Sequence, residues 1–451
     1  MSIPSMPADA VGREALRRIS LRLLPFLVLS YLANYIDRVN AGFAALQMNR
    51  EVGLTASAFG LGGGMFFIAY LLFEVPSNLA MVRVGARLWL TRIMITWGLV
   101  SGAMALTSGP VSFCVLRFLL GAAEAGFVPG VILYLMQWFP ARERARVIGL
   151  FMVASPVAGI VGSPISAALL GLDGWLGLSG WQWLFIIEAM PAVLIGLVGL
   201  FWLTDSPAQA RWLDPEHKDW LADRLAADAT ARISVEKTSV WAVMGDRTVL
   251  VLSLIYAGQA TANAGLSLWQ PQFLKSFGLS TAEVGLVNAI PFAVAALAMY
   301  AGGRSSDRRD ERVWHTAVPT ALTTLGLCLC LVLHGLIPTV CLLCLALFGV
   351  SASRGPFWAL TTEWLSSRAA VAGIAQINAV GTGASFFTSW ATGAIKDATG
   401  SWPLALLPLA GVTAVATVAV VLLGRPRPSA AASSDRPEPH VTPTTPVAAE
   451  P

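Results

Sequence analysis

Twelve stretches of this chain are each long and apolar enough to cross a lipid bilayer, and nothing else in it constrains the fold as strongly. A helix rises about 1.5 Å per residue, so about twenty apolar residues cover a hydrocarbon core of roughly 30 Å. The spans run near 23–45, 57–81, 90–107, 111–137, 145–170, 182–204, 248–274, 283–303, 314–334, 338–365, 369–393 and 402–424. Glycine and proline occur inside them, as membrane helices tolerate. The first run follows Arg13, Arg17, Arg18 and Arg22 and lacks a small-residue cleavage site. It therefore reads as the first membrane helix and not as a cleavable signal.

Only 12% of the 451 residues are charged and 56% are hydrophobic, against about 25% charged in soluble domains. The net charge of +4 comes from short Lys and Arg clusters between the apolar runs. Phosphate tracking needs a continuous basic face, so nucleic acid is excluded as a partner. Cys114, Cys328, Cys330, Cys341 and Cys344 all fall in apolar segments, without neighbouring His or acidic ligands. They read as small apolar residues, and no metal or cofactor is implied.

The cations orient the spans. Arg13 to Arg22 precede span 1, and Arg83, Arg87 and Arg92 join spans 2 and 3. Arg142, Arg144 and Arg146 join 4 and 5, and Arg304, Arg308, Arg309 and Arg312 join 8 and 9. Arg368 joins 10 and 11, and Arg425 and Arg427 follow 12. The alternate loops are nearly free of cations, apart from Arg50, Lys275 and Lys396. The positive-inside rule then puts both termini in the cytoplasm.

The chain divides accordingly. Residues 1–22 form a cytoplasmic N-terminal segment, and 23–204 a first six-helix half. A polar cytoplasmic linker with short surface helices covers 205–247, and a second six-helix half covers 248–424. The tail 425–451, rich in Pro, Ala, Ser and Thr, has almost nothing to bury and is expected to be disordered. Two six-span halves are the plan of many secondary transporters. A polytopic enzyme would need a catalytic cluster near a membrane surface, and no metal-spaced His/Asp set is present.

Inside this apolar background, "YLANYIDRVN" (31–40) carries two adjacent charges. Each costs roughly 2.5–3.5 kcal/mol at the centre of a membrane helix, so such charges mark function. With about 100° per residue and Tyr31 at 0°, Asn34 lies near 300°, Tyr35 near 40° and Arg38 near 340°. Asp37 falls near 240°, on an adjacent face. Arg117 and Glu124 of span 4 are seven residues apart, hence on one face but about 10.5 Å apart along the axis. An arginine fork binds a carboxylate bidentately and keeps its charge. A buried acid can be neutral in one state and charged in another, which suits proton coupling.

Several segments in order resemble the major facilitator superfamily, and within it the anion:cation symporters. They are "NYIDRVN", "LLFEVPSNLAMVRVGARLW", "RFLLGAAEAGFVPG", "WFPARERARVIG", "DSPAQARWL", "LSLWQPQFL", "GPFWALTTEWLS", "GIAQINAVGTGASF" and "KDATGSW". The pattern is most similar to bacterial tartrate, sugar-acid and phthalate-type carriers. The resemblance implies an all-α, twelve-helix fold in the inner (plasma) membrane, a monomer, and import of a small organic anion with protons. It implies that Arg38 and Arg117 hold the anion, that Asp37 and Glu124 carry the coupling proton, and that Tyr35 and Tyr70 line the cavity. The chain departs from the pattern at Val82, where an Asp is usual, at Thr382, where an amide is common, and at Arg354, where relatives are uncharged.

Further candidates to line the cavity are Asn263, Trp269 and Gln270 in span 7, Trp358 in span 10, and Gln376, Asn378 and Thr382 in span 11. Arg354 is expected either to face the cavity as a third cation, suiting a dicarboxylate, or to pair with Glu363 through a neighbouring element. Trp269 and Trp358 lean towards an aromatic or flat acid. Glu74, beside Pro76 and Asn78, is expected to serve gating or helix pairing, and Glu188 to be structural. Sodium coupling and anion exchange are the alternatives to proton symport.

Overall fold

The structure, a computed structural model, describes residues 8–230, 245–365 and 370–423. The expected disordered tail 425–451, with Arg425 and Arg427, lies outside them, as do Arg368 and residues 231–244 of the expected linker.

The described residues are helical throughout, apart from turns. In order they form α1 (Ala8–Glu51), α2 (Ala56–Val84), α3 (Ala86–Ala103), α4 (Pro110–Glu124), α5 (Phe127–Trp138), α6 (Ala141–Met152), α7 (Ala154–Leu169) and α8 (Gly180–Trp202). Then come α9 (Pro215–Thr230), α10 (Arg247–Lys275), α11 (Thr281–Arg309), α12 (Val313–Leu329), α13 (Leu336–Trp364), α14 (Ala370–Thr399), α15 (Trp402–Ala405) and α16 (Leu407–Leu423). Nine helical segments among the described residues are long and apolar enough to cross a membrane, with α4–α5 and α6–α7 each counting as one. The expected ninth and twelfth spans are the shorter apolar helices α12 and α16, and the expected eleventh falls on α14, of 30 residues. Large apolar side chains such as Phe201 (89% exposed) and Leu422 (78%) face outward. An apolar surface of this kind suits contact with lipid.

Two features depart from the expected limits. The first helix begins at Ala8, so much of the expected N-terminal segment continues the membrane helix. Its early turns pair Glu14 with Arg17 (3.3 Å) and Arg18 (3.1 Å), and Arg18 also reaches Asp214 at 2.7 Å. The Trp220 ring of α9 packs on Gly12, and α9 is the surface helix expected in the linker.

The second departure is that the fourth span is broken. Ala125 is extended (φ −54°, ψ 131°) and Gly126 is left-handed (φ 87°). A side chain at Gly126 would be strained by that φ, and its Cβ would sit 2.5 Å from Ser77 Oγ. The break makes Glu124 the last residue of α4.

Packing closes one end of the bundle. Around the centre, α1 packs against α7, α8 and α10; α2 lies between α4 and α14; and α11 packs on α7 and α13. Where α2 begins and α14 ends, the backbones nearly touch: a Cβ on Gly393 would lie 2.1 Å from Ala56 O. Asp397 then accepts from Ala56 N (3.0 Å) and Ser57 N (2.7 Å). Helix N-termini leave such N–H groups without intrahelical partners, and here an acid from a helix more than 300 residues away in sequence supplies them. Phe59, Trp269 and Trp402 fill the same end, with ring centroids 5.3 and 5.9 Å apart.

Candidate functional site

Arg38 and Asp37 leave α1 in different directions, as helical periodicity requires. Arg38 turns towards α4, where its Nε donates to Glu124 Oε1 at 2.7 Å and its Nη2 donates to the same oxygen. Glu124 is buried, and the α4 break just beyond it presents the carboxylate at a helix end. The Arg38 guanidinium lies 5.4 Å from the Phe66 ring centroid and 5.4 Å from that of Tyr70, both on α2. The Arg117 guanidinium lies 5.0 Å from the same Phe66 ring. One aromatic ring therefore lies beside two cations, a favourable contact for guanidinium groups removed from water.

Arg117 is only 4% exposed, yet it makes no hydrogen bond or ion pair with any described residue, and its Nε is buried without a partner. It does not pair with Glu124, as their seven-residue spacing predicts. A buried cation without an anion carries a desolvation cost of several kcal/mol. An anion brought beside Arg117 would offset that cost.

Asp37 points to α3. Its carboxylate accepts from Trp97 Nε1 (2.8 Å), Ser101 Oγ (2.9 Å) and Asn40 Nδ2 (3.2 Å), and it is 1% exposed. Tyr35 reaches the other way, to α10: Asn263 Nδ2 donates to its hydroxyl at 2.9 Å, and the hydroxyl lies 3.1 Å from Asn263 Oδ1.

Arg354 on α13 donates to Ser155 Oγ on α7 at 3.4 Å. The alternative pairing with Glu363 does not form, because Glu363 is taken by Arg312 at 3.4 Å. Trp358 is half-buried and leans on Tyr256 (ring centroids 5.2 Å apart). Gln376, Asn378 and Thr382 are half-buried along α14. Trp269 and Gln270 stand elsewhere. Trp269 is 1% exposed among the aromatic rings of the closed end, and Gln270 donates to Asn288 Oδ1 (2.9 Å), which is tied to Ser163 (2.8 Å). Glu74 is half-buried, and its backbone carbonyl accepts from Asn78 Nδ2 at 2.9 Å.

Sequence reasoning did not single out Phe66, Ser155 or Tyr256, nor Trp97 and Ser101. Trp97 and Ser101 were findable, because two polar-tipped residues four apart share a helix face. Phe66 is one of 20 phenylalanines, and no spacing rule separates it from the rest. No cluster of metal-ligating side chains occurs among the described residues.

A lipid-facing helical bundle with paired and unpaired arginines, and buried acids, at its centre is the build of a polytopic membrane carrier. Residues 27–389 match the model of the Major Facilitator Superfamily, and the chain belongs to that family. It is therefore a multi-pass membrane transporter, which sets aside the membrane-enzyme reading. A protein of Agrobacterium vitis named "Putative tartrate transporter" is 46% identical over 417 residues, 92% of this chain and 96% of that one. A "Quinolone resistance transporter" of Acinetobacter baumannii is 40% identical over 390 residues, 86% of this chain and 90% of that one. Among solved structures, a bacterial homologue of the human lysosomal transporter Spinster, in an inward-facing and occupied conformation, superposes with a TM-score of 0.67. It shares 20% identity and is matched over 93% of this chain and 95% of that one, so it speaks to the fold alone.

Proposed function

We propose that this transporter imports a small organic anion together with protons, by alternating access, across the bacterial inner membrane. Both termini are cytoplasmic in this reading, and residues 23–204 and 248–424 are the two halves that rock about the central site. The observation that carries it is the pairing of Arg38 with Glu124 beside an unpaired, buried Arg117. Glu124 occupies the guanidinium that an incoming carboxylate needs. A proton on Glu124 removes its charge and frees the Arg38 fork, which then joins Arg117 in holding the substrate carboxylate. Exchange of one carboxylate for another keeps the net charge around the arginines nearly constant, so neither state is prohibitively costly.

A small hydroxylated dicarboxylate fits best. Arg354 offers a third cation across the α7–α13 gap, and the Tyr35–Asn263 pair offers hydroxyl and amide groups to substrate hydroxyls. Trp269, packed into the closed end, no longer argues for a flat aromatic acid. The name of the Agrobacterium vitis relative points the same way. By the cation asymmetry of the loops, the end sealed by Gly393 and Asp397 is the outer one, so the site opens inward. Uptake of labelled dicarboxylates, sugar acids and aromatic acids into proteoliposomes, with and without an inward proton gradient, tests the reading. Sodium coupling and anion exchange are the outcomes that would replace it.

A further inference from the structure

A second carboxyl is buried behind Asp37. Glu188 on α8 is 5% exposed, and α8 packs against α1, α3 and α7. One of its oxygens, Oε1, accepts from Ser166 Oγ on α7 at 2.7 Å. The other, Oε2, is buried without any partner. Asn40 lies between the two acids. Its Nδ2 donates to Asp37 Oδ1 at 3.2 Å, its side chain also interacts with Glu188, and its Oδ1 is buried without a partner.

The hydrogen bonds distinguish the two acids. Three donors from two helices converge on the Asp37 carboxylate, which is what an ionised acid needs when it leaves water. Beyond the Ser166 hydroxyl and the Asn40 side chain, Glu188 has no donor and no cation among the described residues, so an ionised Glu188 would carry a poorly compensated charge near the like charge of Asp37. Protonated Glu188 becomes a donor, and Asn40 Oδ1 is an acceptor with nothing to accept. The charged groups around the pair are few. Asp37 is the charged group that acts on Glu188; Asp37 in turn interacts with Glu124 and Arg117, and Glu124 is paired with Arg38.

We infer that Glu188 is a proton-carrying group of this transporter: with Asp37 and the bridging Asn40 it forms a buried acid pair that holds one proton in common. In the conformation described here the proton resides on Glu188 and the negative charge on Asp37. A shift of α1 relative to α3 that breaks the Trp97 and Ser101 bonds removes the support of the Asp37 charge. The proton then moves from Glu188 Oε2 to Asp37, and the charge passes to Glu188. This inference rests on the proton-coupling reading for its use in transport, but not for its existence.

The test reads the proton directly. Infrared difference spectra of the reconstituted protein at neutral pH, in H2O and D2O, report the carbonyl stretch of protonated carboxyl groups. Glu188→Gln is expected to remove one such band, and to shift the pH midpoint of substrate counterflow. Ser166→Ala keeps the carboxyl and removes its hydroxyl donor, so the same band should move to higher frequency, which covers the case in which Glu188→Gln does not fold. A spectrum unchanged in both variants would overturn the inference, whatever transport does. Failure of the wild type to accumulate substrate on a proton gradient would instead remove the coupling reading, and the band would still decide whether Glu188 holds a proton.

Discussion

Arg38 gives two hydrogen bonds to one oxygen of Glu124, through Nε at 2.7 Å and through Nη2. A guanidinium held in this way by an acid of the protein is not free for an acid of the substrate. The two residues are 86 positions apart in the chain, and in the proposed function the competition between them is the step at which protonation and anion binding meet.

Glu124→Gln should therefore separate binding from coupling. The amide cannot ionise, so Arg38 remains available at every pH. Counterflow exchange is expected to persist and to lose its pH dependence, while accumulation driven by a proton gradient disappears. Paired counterflow and gradient-uptake assays on one preparation check this.

Arg38→Lys and Arg117→Lys keep the charge and remove the planar fork. Hydrogen bonds to charged groups contribute about 1.5–3 kcal/mol, so substrate affinity should fall about 10- to 100-fold in each. Binding measured by calorimetry or thermal shift would show it. An affinity unchanged in Arg117→Lys would mean that this guanidinium serves packing on Phe66 and not the substrate.

How much of this could be read beforehand follows from what a single sequence encodes. The faces of α1 follow from 100° steps, so the separation of Arg38 from Asp37 was legible, as was the shared face of Arg117 and Glu124. The pairing of Arg38 with Glu124 was not, because it joins two helices whose rotation is set by packing. The break after Glu124 was hidden as well: Gly126 reads equally well as a close-packing glycine, and only its left-handed backbone reveals the interruption. Trp269 illustrates the opposite error. It shares a span with Asn263, but its ring belongs to the aromatic cluster of the closed end. For Arg354 the sequence allows either the cavity or Glu363; Glu363 lies 3.4 Å from Arg312, and Arg354 donates to Ser155 Oγ, a contact between helices that no spacing encodes.

Gly393→Leu should stop the α2–α14 crossing from closing, since even a Cβ would lie 2.1 Å from Ala56 O. Uptake is expected to collapse. In a background stripped of native cysteines, a Ser57→Cys reporter should become reactive to a membrane-impermeant thiol reagent. Asp397→Asn should have a milder effect of the same sign, because it weakens the bonds to Ala56 N and Ser57 N without filling space.

Tyr35→Phe removes a hydroxyl bonded to Asn263 and leaves the ring. A net hydrogen bond is worth about 1 kcal/mol, so transport should fall about fivefold with coupling intact. Loss of coupling in this variant would assign Tyr35 to the proton path.

The most direct measurement is uptake of a labelled hydroxy-dicarboxylate into proteoliposomes under an imposed inward proton gradient, in wild type and in Glu124→Gln. The account predicts accumulation in the wild type that collapses with a protonophore, and equilibration without accumulation in the variant. Accumulation by Glu124→Gln on the same gradient would contradict it.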